Sequence, residues 1–171
     1  ISEGNMKINV VKQTYSPSMD IQISSNFERQ LFESANRDSD FVNNMMQSFL
    51  ETGEYMLSHS IVEDMQLIYH THSVSNLQTL ETIRKFKEKF NYLADPHTAT
   101  GLNVLDKMNS ENPTISLACA HPAKFGDAIK EATGKAPNFP PQLIDIFDKE
   151  EKIVILENNS NDIKNHILKN L

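Results

Sequence analysis

The sequence has a single cysteine, Cys119, so no internal disulfide can form, which fits a reducing compartment. Glycine is nearly as scarce: Gly4, Gly53, Gly101, Gly126 and Gly134 are the only ones, and no two lie close together. That scatter excludes a P-loop, a GxGxxG fingerprint and any glycine-rich phosphate cradle of the usual kind. Positive charge is short as well. Lys and Arg number 16 against 23 Asp and Glu, a formal net charge of −7, which argues against a nucleic-acid or anionic-membrane partner. No apolar run is long enough to span a bilayer, and ISEGNMKINV has neither the basic flank nor the apolar stretch of a signal peptide. The expected setting is cytoplasmic. The first residue is Ile1 rather than methionine, which leaves a processing or proteolytic boundary open there. At 171 residues, one domain with a core is expected over 1–171.

What is present reads mainly as helix. Ser25-Asn26-Phe27-Glu28 matches a capping box, with Phe27, Leu31 and Phe32 as the buried stripe behind it. A second helix is expected from Asp40 to Thr52, with Phe41, Met45, Phe49 and Leu50 inward and Gly53 as its stop. Ser60–Glu63 and Ser75–Gln78 are further capping boxes. The second is the better one, since Leu80, Ile83, Phe86 and Phe90 follow at helical spacing. Asp95-Pro96 is a strong start signal, an acidic N-cap with proline at the first helical position, and Ala99, Leu102, Leu105 and Met108 make the face. Phe125, Ala128, Ile129 and Ala132 mark a helix closed by Gly134. A short helix is expected near Leu143–Phe147, and Ile163, Ile167 and Leu171 give a last one. Strands are expected around 7–14, over the uncharged run Pro113–Ala120, and over Lys152–Leu156. Helices separated by a few short strands point to an α/β class, and so few strands suit only part of a larger sheet.

Four places could carry chemistry. Cys119-Ala120-His121-Pro122 ends an expected strand just before a helix, where ligand-binding groups gather in open α/β sheets. A Cys–His nucleophile pair is one possibility there, and a buried structural cysteine is the commoner alternative. Asp95-Pro96-His97-Thr98 sets an acid and an imidazole at a helix start, suited to an anion or a proton relay, or simply to capping. Ser24, Ser25, Asn26 and Arg29 put hydroxyls, an amide and a guanidinium at another helix start, which suits phosphate or carboxylate. His70-Thr71-His72 offers two imidazoles but no local third ligand, so no metal is expected.

The actual words carry more than the spacing does. SPSMDIQISSNFERQLFE at 16–33, ADPHTATG at 94–101 and ACAHPAKFGDAIKEA at 118–132 resemble, in the same order, three segments of the threonine synthases of fungi and many bacteria. The likeness runs over nearly the whole chain, and SVSNLQTLETIRKF at 73–86 fits it too. The resemblance implies the C-terminal portion of the large domain of a tryptophan-synthase-like, fold type II enzyme, helix-rich with a few short strands. It implies pyridoxal 5'-phosphate as cofactor, O-phosphohomoserine and water as substrates, and L-threonine and phosphate as products. In that family the Schiff-base lysine and the phosphate loop belong to the N-terminal part. Neither motif occurs here, so no catalytic residue is assigned and the segment alone is expected to be inactive, its partner being that N-terminal part.

One family cofactor contact does fall within the chain. The position before AHPAKF is usually a threonine whose hydroxyl meets the pyridine nitrogen of the cofactor; here it is Cys119. A thiol is a weaker partner, and a neutral group there leaves the nitrogen unprotonated, favouring elimination and replacement over transamination. The resemblance puts Asn26 and Arg29 on the side that receives the substrate's phosphate, and Asp95 and His97 near the helix start beneath it. Two other functions fit the same words: a threonine-synthase-like phospho-lyase, and a freestanding binding or regulatory remnant.

Overall fold

Each helix of the chain starts and stops where a local backbone group finds a partner. In the computed structural model, which describes residues 1–108, 111–118 and 120–171, the elements begin with β1 (Asn5–Lys7) and α1 (Ser25–Ser34). There follow α2 (Ser39–Thr52), β2 (Glu54–Met56), α3 (His59–Gln66), α4 (Asn76–Phe90), α5 (Pro96–Leu105), α6 (Gly126–Thr133) and α7 (Ser160–Lys169). The expected helix-rich class with short strands is what is seen. Ser75 and Gln78 form the reciprocal capping box that opens α4. Gly53 and Gly134 close α2 and α6 in the left-handed conformation, both at φ 77°, where a side chain would be strained.

The chain divides into two compact units, Ile1–Pro137 and Asn138–Leu171. The first holds two apolar clusters. Leu31, Met45, Leu57, Ile61, Val62 and Met65 join α1, α2 and α3 beneath the β1–β2 ribbon. That ribbon is antiparallel, with Asn5 opposite Met56 and Lys7 opposite Glu54. The second cluster gathers Leu80 and Ile83 of α4, Ala99 and Leu102 of α5, and Ala128, Ile129 and Ala132 of α6. It is this second cluster that buries the start of α5. The unit from Asn138 to Leu171 has short 3-10 turns at Pro141–Leu143 and Ile146–Asp148, then α7, and none of its residues is fully buried.

Several expectations are corrected. Pro113–Ala118 and Lys152–Leu156 are not strands, and Ile115 and Leu117 stand 85% and 77% exposed. Of the expected strand at 7–14 only its first residue lies in β1. A strand is stabilised by cross-strand neighbours, and among the described residues these runs have none. Helix α1 is capped by Ser24 rather than Ser25, and α3 by Ser58 rather than Ser60, neither through a side-chain bond. Leu50 and Phe90, expected inward, are exposed, as is Met108. The short helix near Leu143–Phe147 is a pair of 3-10 turns.

Candidate functional site

The start of α5 is the most deeply buried polar stretch, with Ala94 through Ala99 all inaccessible. Asp95 is 1% exposed and caps the helix: Oδ1 accepts from the amides of His97 at 2.9 Å and Thr98 at 3.2 Å. Its second oxygen accepts from the Thr98 hydroxyl and, at 3.3 Å, from the amide of Ala120, 25 residues along the chain. The amides that make a helix N-terminus attractive to an anion are therefore already used by the protein's own carboxylate. His97 is 6% exposed; its ring meets Phe125 edge-on at 5.0 Å, and its Nδ1 is buried without a hydrogen-bond partner. An orphaned buried nitrogen is uncommon and marks a place where a proton or a ligand atom is lacking.

Beside His97 opens a cavity of about 740 Å³, whose walls include Asp20, His70, His72, Asn76 and Ser116. Spacing alone did not bring these together. Its wall at 14–20 is fixed by Asp20, which accepts from the Thr14 amide at 2.7 Å and its hydroxyl at 2.8 Å. Next to it, the Tyr15 hydroxyl donates to Glu131 of α6 at 2.5 Å. That bond, then desolvation and the nearby Glu131 and Asp127 charges, pushes the Tyr15 phenol above its ordinary pKa. The Asp20 clasp went unread in the sequence, although the Ser16-Pro17-Ser18 turn was its signal. Among the described residues, no group of three or more His, Cys, Asp or Glu side chains is placed to hold a metal ion.

Asn26 and Arg29 lie elsewhere, on successive turns of α1, both exposed, on a shallow cavity of about 400 Å³ that also takes in Phe27, Glu33 and Tyr69. Ser24 makes no side-chain bond to the helix it caps, so the first amides of α1 are left open. Arg37 pairs with Glu33 at 3.0 Å and Arg84 donates to the carbonyl of Ala132 at 2.9 Å. Arg29 has neither an ion pair nor a hydrogen bond among the described residues. Asp95 and His97 thus share one place, Asn26 and Arg29 another, and Cys119 lies outside the described residues. Its neighbour His121 folds back, Nδ1 accepting from the Ala123 amide at 3.1 Å.

Known proteins match this arrangement. The family described as "Threonine synthase, C-terminal" matches residues 98–167. Threonine synthase from Pseudomonas aeruginosa is 36% identical over 146 residues, covering 84% of this chain and 31% of that protein. The PLP-bound threonine synthase of Brucella melitensis superposes with a TM-score of 0.83 at 38% identity, over 96% of this chain. The chain belongs to the threonine synthase family. Threonine synthase from yeast superposes at 0.78 with 32% identity, over 98% of this chain and 38% of that one. The chain therefore spans about a third of the length of the threonine synthases it matches. No described helix is long and apolar enough to cross a membrane.

Proposed function

We propose that residues 1–171 are the C-terminal portion of the large domain of a cytoplasmic enzyme that converts O-phosphohomoserine and water to L-threonine and phosphate. The observation that carries this is the likeness over 96% of the chain to a threonine synthase that binds pyridoxal phosphate. The described residues fit one side of that cofactor. The cavity beside His97 is of the size that small-molecule sites take, and the orphaned Nδ1 leaves a polar group in reserve at its wall. They do not supply the other side: no lysine lines that cavity, and the glycines are too scattered for a phosphate loop. In this reading the lysine and the loop come from the N-terminal part, and the chain alone is inactive.

When bound, pyridoxal phosphate supplies an electron sink for the proton transfers of a β,γ-replacement. Cys119 offers a neutral thiol to the pyridine nitrogen. Arg29, with no partner of its own, and Asn26 at the open amides of α1 take the substrate's phosphate, where charge-assisted bonds are strongest. Asp95 and His97 shape the helix start beneath the substrate. The exposed apolar side chains of both units, Ile115, Leu117, Phe147 and Ile155 among them, are the surface that the rest of the enzyme covers.

The test is a product assay on the complete enzyme with O-phosphohomoserine. Threonine and phosphate in equal amounts support the reading. Phosphate without threonine would make it a phospho-lyase instead, and no turnover with a loaded cofactor would refute both.

A further inference from the structure

We infer that Asp95 is a positioning residue for the cofactor contact at Cys119, acting through the Ala120 amide; this rests on the function proposed above. The argument begins with what capping requires. One carboxylate oxygen is enough to cap α5, and Oδ1 alone receives the His97 and Thr98 amides. Serine or asparagine would cap equally well, so the second oxygen is what an aspartate adds. That oxygen takes the Thr98 hydroxyl, which orients it, and the Ala120 amide at 3.3 Å. The N–H of Ala120 belongs to the planar peptide unit that also contains the Cα of residue 119. Holding that N–H therefore holds the orientation of the backbone from which the Cys119 side chain leaves.

Two further contacts make the arrangement a clasp. The His97 ring packs edge-on against Phe125, so the first turn of α5 holds both ends of the stretch 120–125. Between them, His121 closes the turn on the Ala123 amide, and the Lys124 amide donates to the His121 carbonyl at 3.0 Å. Burial matters here: at 1% exposure, Asp95 makes its bonds in a medium of low dielectric, where they hold more firmly than at a surface. A thiol is a weak partner for a ring nitrogen. Its contact depends on distance and direction more than a hydroxyl's would, which makes the backbone clasp matter more in this chain.

The experiment uses the complete cofactor-loaded enzyme and two variants that both retain a capping side chain, Asp95→Asn and Asp95→Ser, each with and without Cys119→Ala. Hydrogen exchange of the Ala120 amide, cofactor affinity and the cofactor's absorbance maximum are measured. Exchange at Ala120 is expected to quicken by about tenfold or more, and cofactor affinity to fall by about tenfold with a shifted maximum. In the Cys119→Ala background the affinity and absorbance changes are expected to vanish, because coupled residues are not additive. Unchanged exchange at Ala120 would overturn the inference, as would equal spectral effects with and without the Cys119 sulfur. A wild-type enzyme that shows no cofactor band would overturn the functional reading instead.

Discussion

Replacing Arg29 by alanine separates binding from stability cleanly, because this side chain has no partner to lose. It is exposed on α1 and forms no ion pair or hydrogen bond among the described residues, so removing it is expected to change folding stability by less than about 0.5 kcal/mol. If its guanidinium receives the substrate's phosphate, the loss is that of a charge-assisted contact, about 1.5–3 kcal/mol, or about 10- to 150-fold in KM. The assay is initial rate against O-phosphohomoserine concentration in the complete enzyme, alongside inhibition by inorganic phosphate and a thermal melt. Arg29→Lys keeps the charge and loses the planar fork, so an intermediate KM is expected. Arg37→Ala is the control: its pair with Glu33 is 71% and 55% exposed at the two side chains, a pairing that contributes little, and KM should not move. An Arg29→Ala enzyme with unchanged KM and unchanged phosphate inhibition would remove this residue from the site.

Other perturbations test the fold that positions the site. Ile83 is fully buried where α4 meets α5 and α6, and Ile83→Ala is expected to cost about 2–5 kcal/mol by urea denaturation of the complete enzyme. Gly4 sits at φ +70° with its missing Cβ directed at Val62 Cγ2, 2.6 Å away; Gly4→Ala is expected to destabilise by more than about 1 kcal/mol in the same assay, and a neutral result would contradict the packing of the ribbon on α3. Tyr15 has a raised pKa, so its bond to Glu131 favours the fold below the ordinary tyrosine pKa of about 10 and is lost as pH climbs through the raised value. An absorbance titration, read as the difference between the native chain and Tyr15→Phe, should therefore find a phenol ionising late, and Glu131→Gln should bring it back down.

Signals that act within one turn of chain were legible in the sequence. The Ser75–Gln78 box, the Asp95-Pro96 start, and the glycines at 53 and 134 each find their partner within a few residues, so their residue types suffice to place them. The apolar runs at 113–118 and 152–156 carry the composition of strands, yet composition cannot supply a neighbouring strand, and these runs lie unpaired. The site shows the same divide. Asp95 as a cap was readable locally, while its bond to Ala120 links residues 25 apart and depends on how α5 meets the 120–125 turn. The cavity beside His97 gathers residues from 14–20, 70–79, 97–105 and 115–117, a meeting no spacing rule describes. Whether a helix start is open to an anion was also invisible: both candidates had the right residue types, but only at α5 does a side chain fill the amides.

The most direct test of the account is the absorbance of pyridoxal phosphate mixed with this chain alone, with the N-terminal part of a threonine synthase alone, and with both together. The account expects a cofactor band bleached by borohydride, and threonine formation, once this chain is joined by the part that carries the lysine, and no such band with this chain alone. A borohydride-sensitive band on the isolated chain would contradict the claim that it holds only one side of the site.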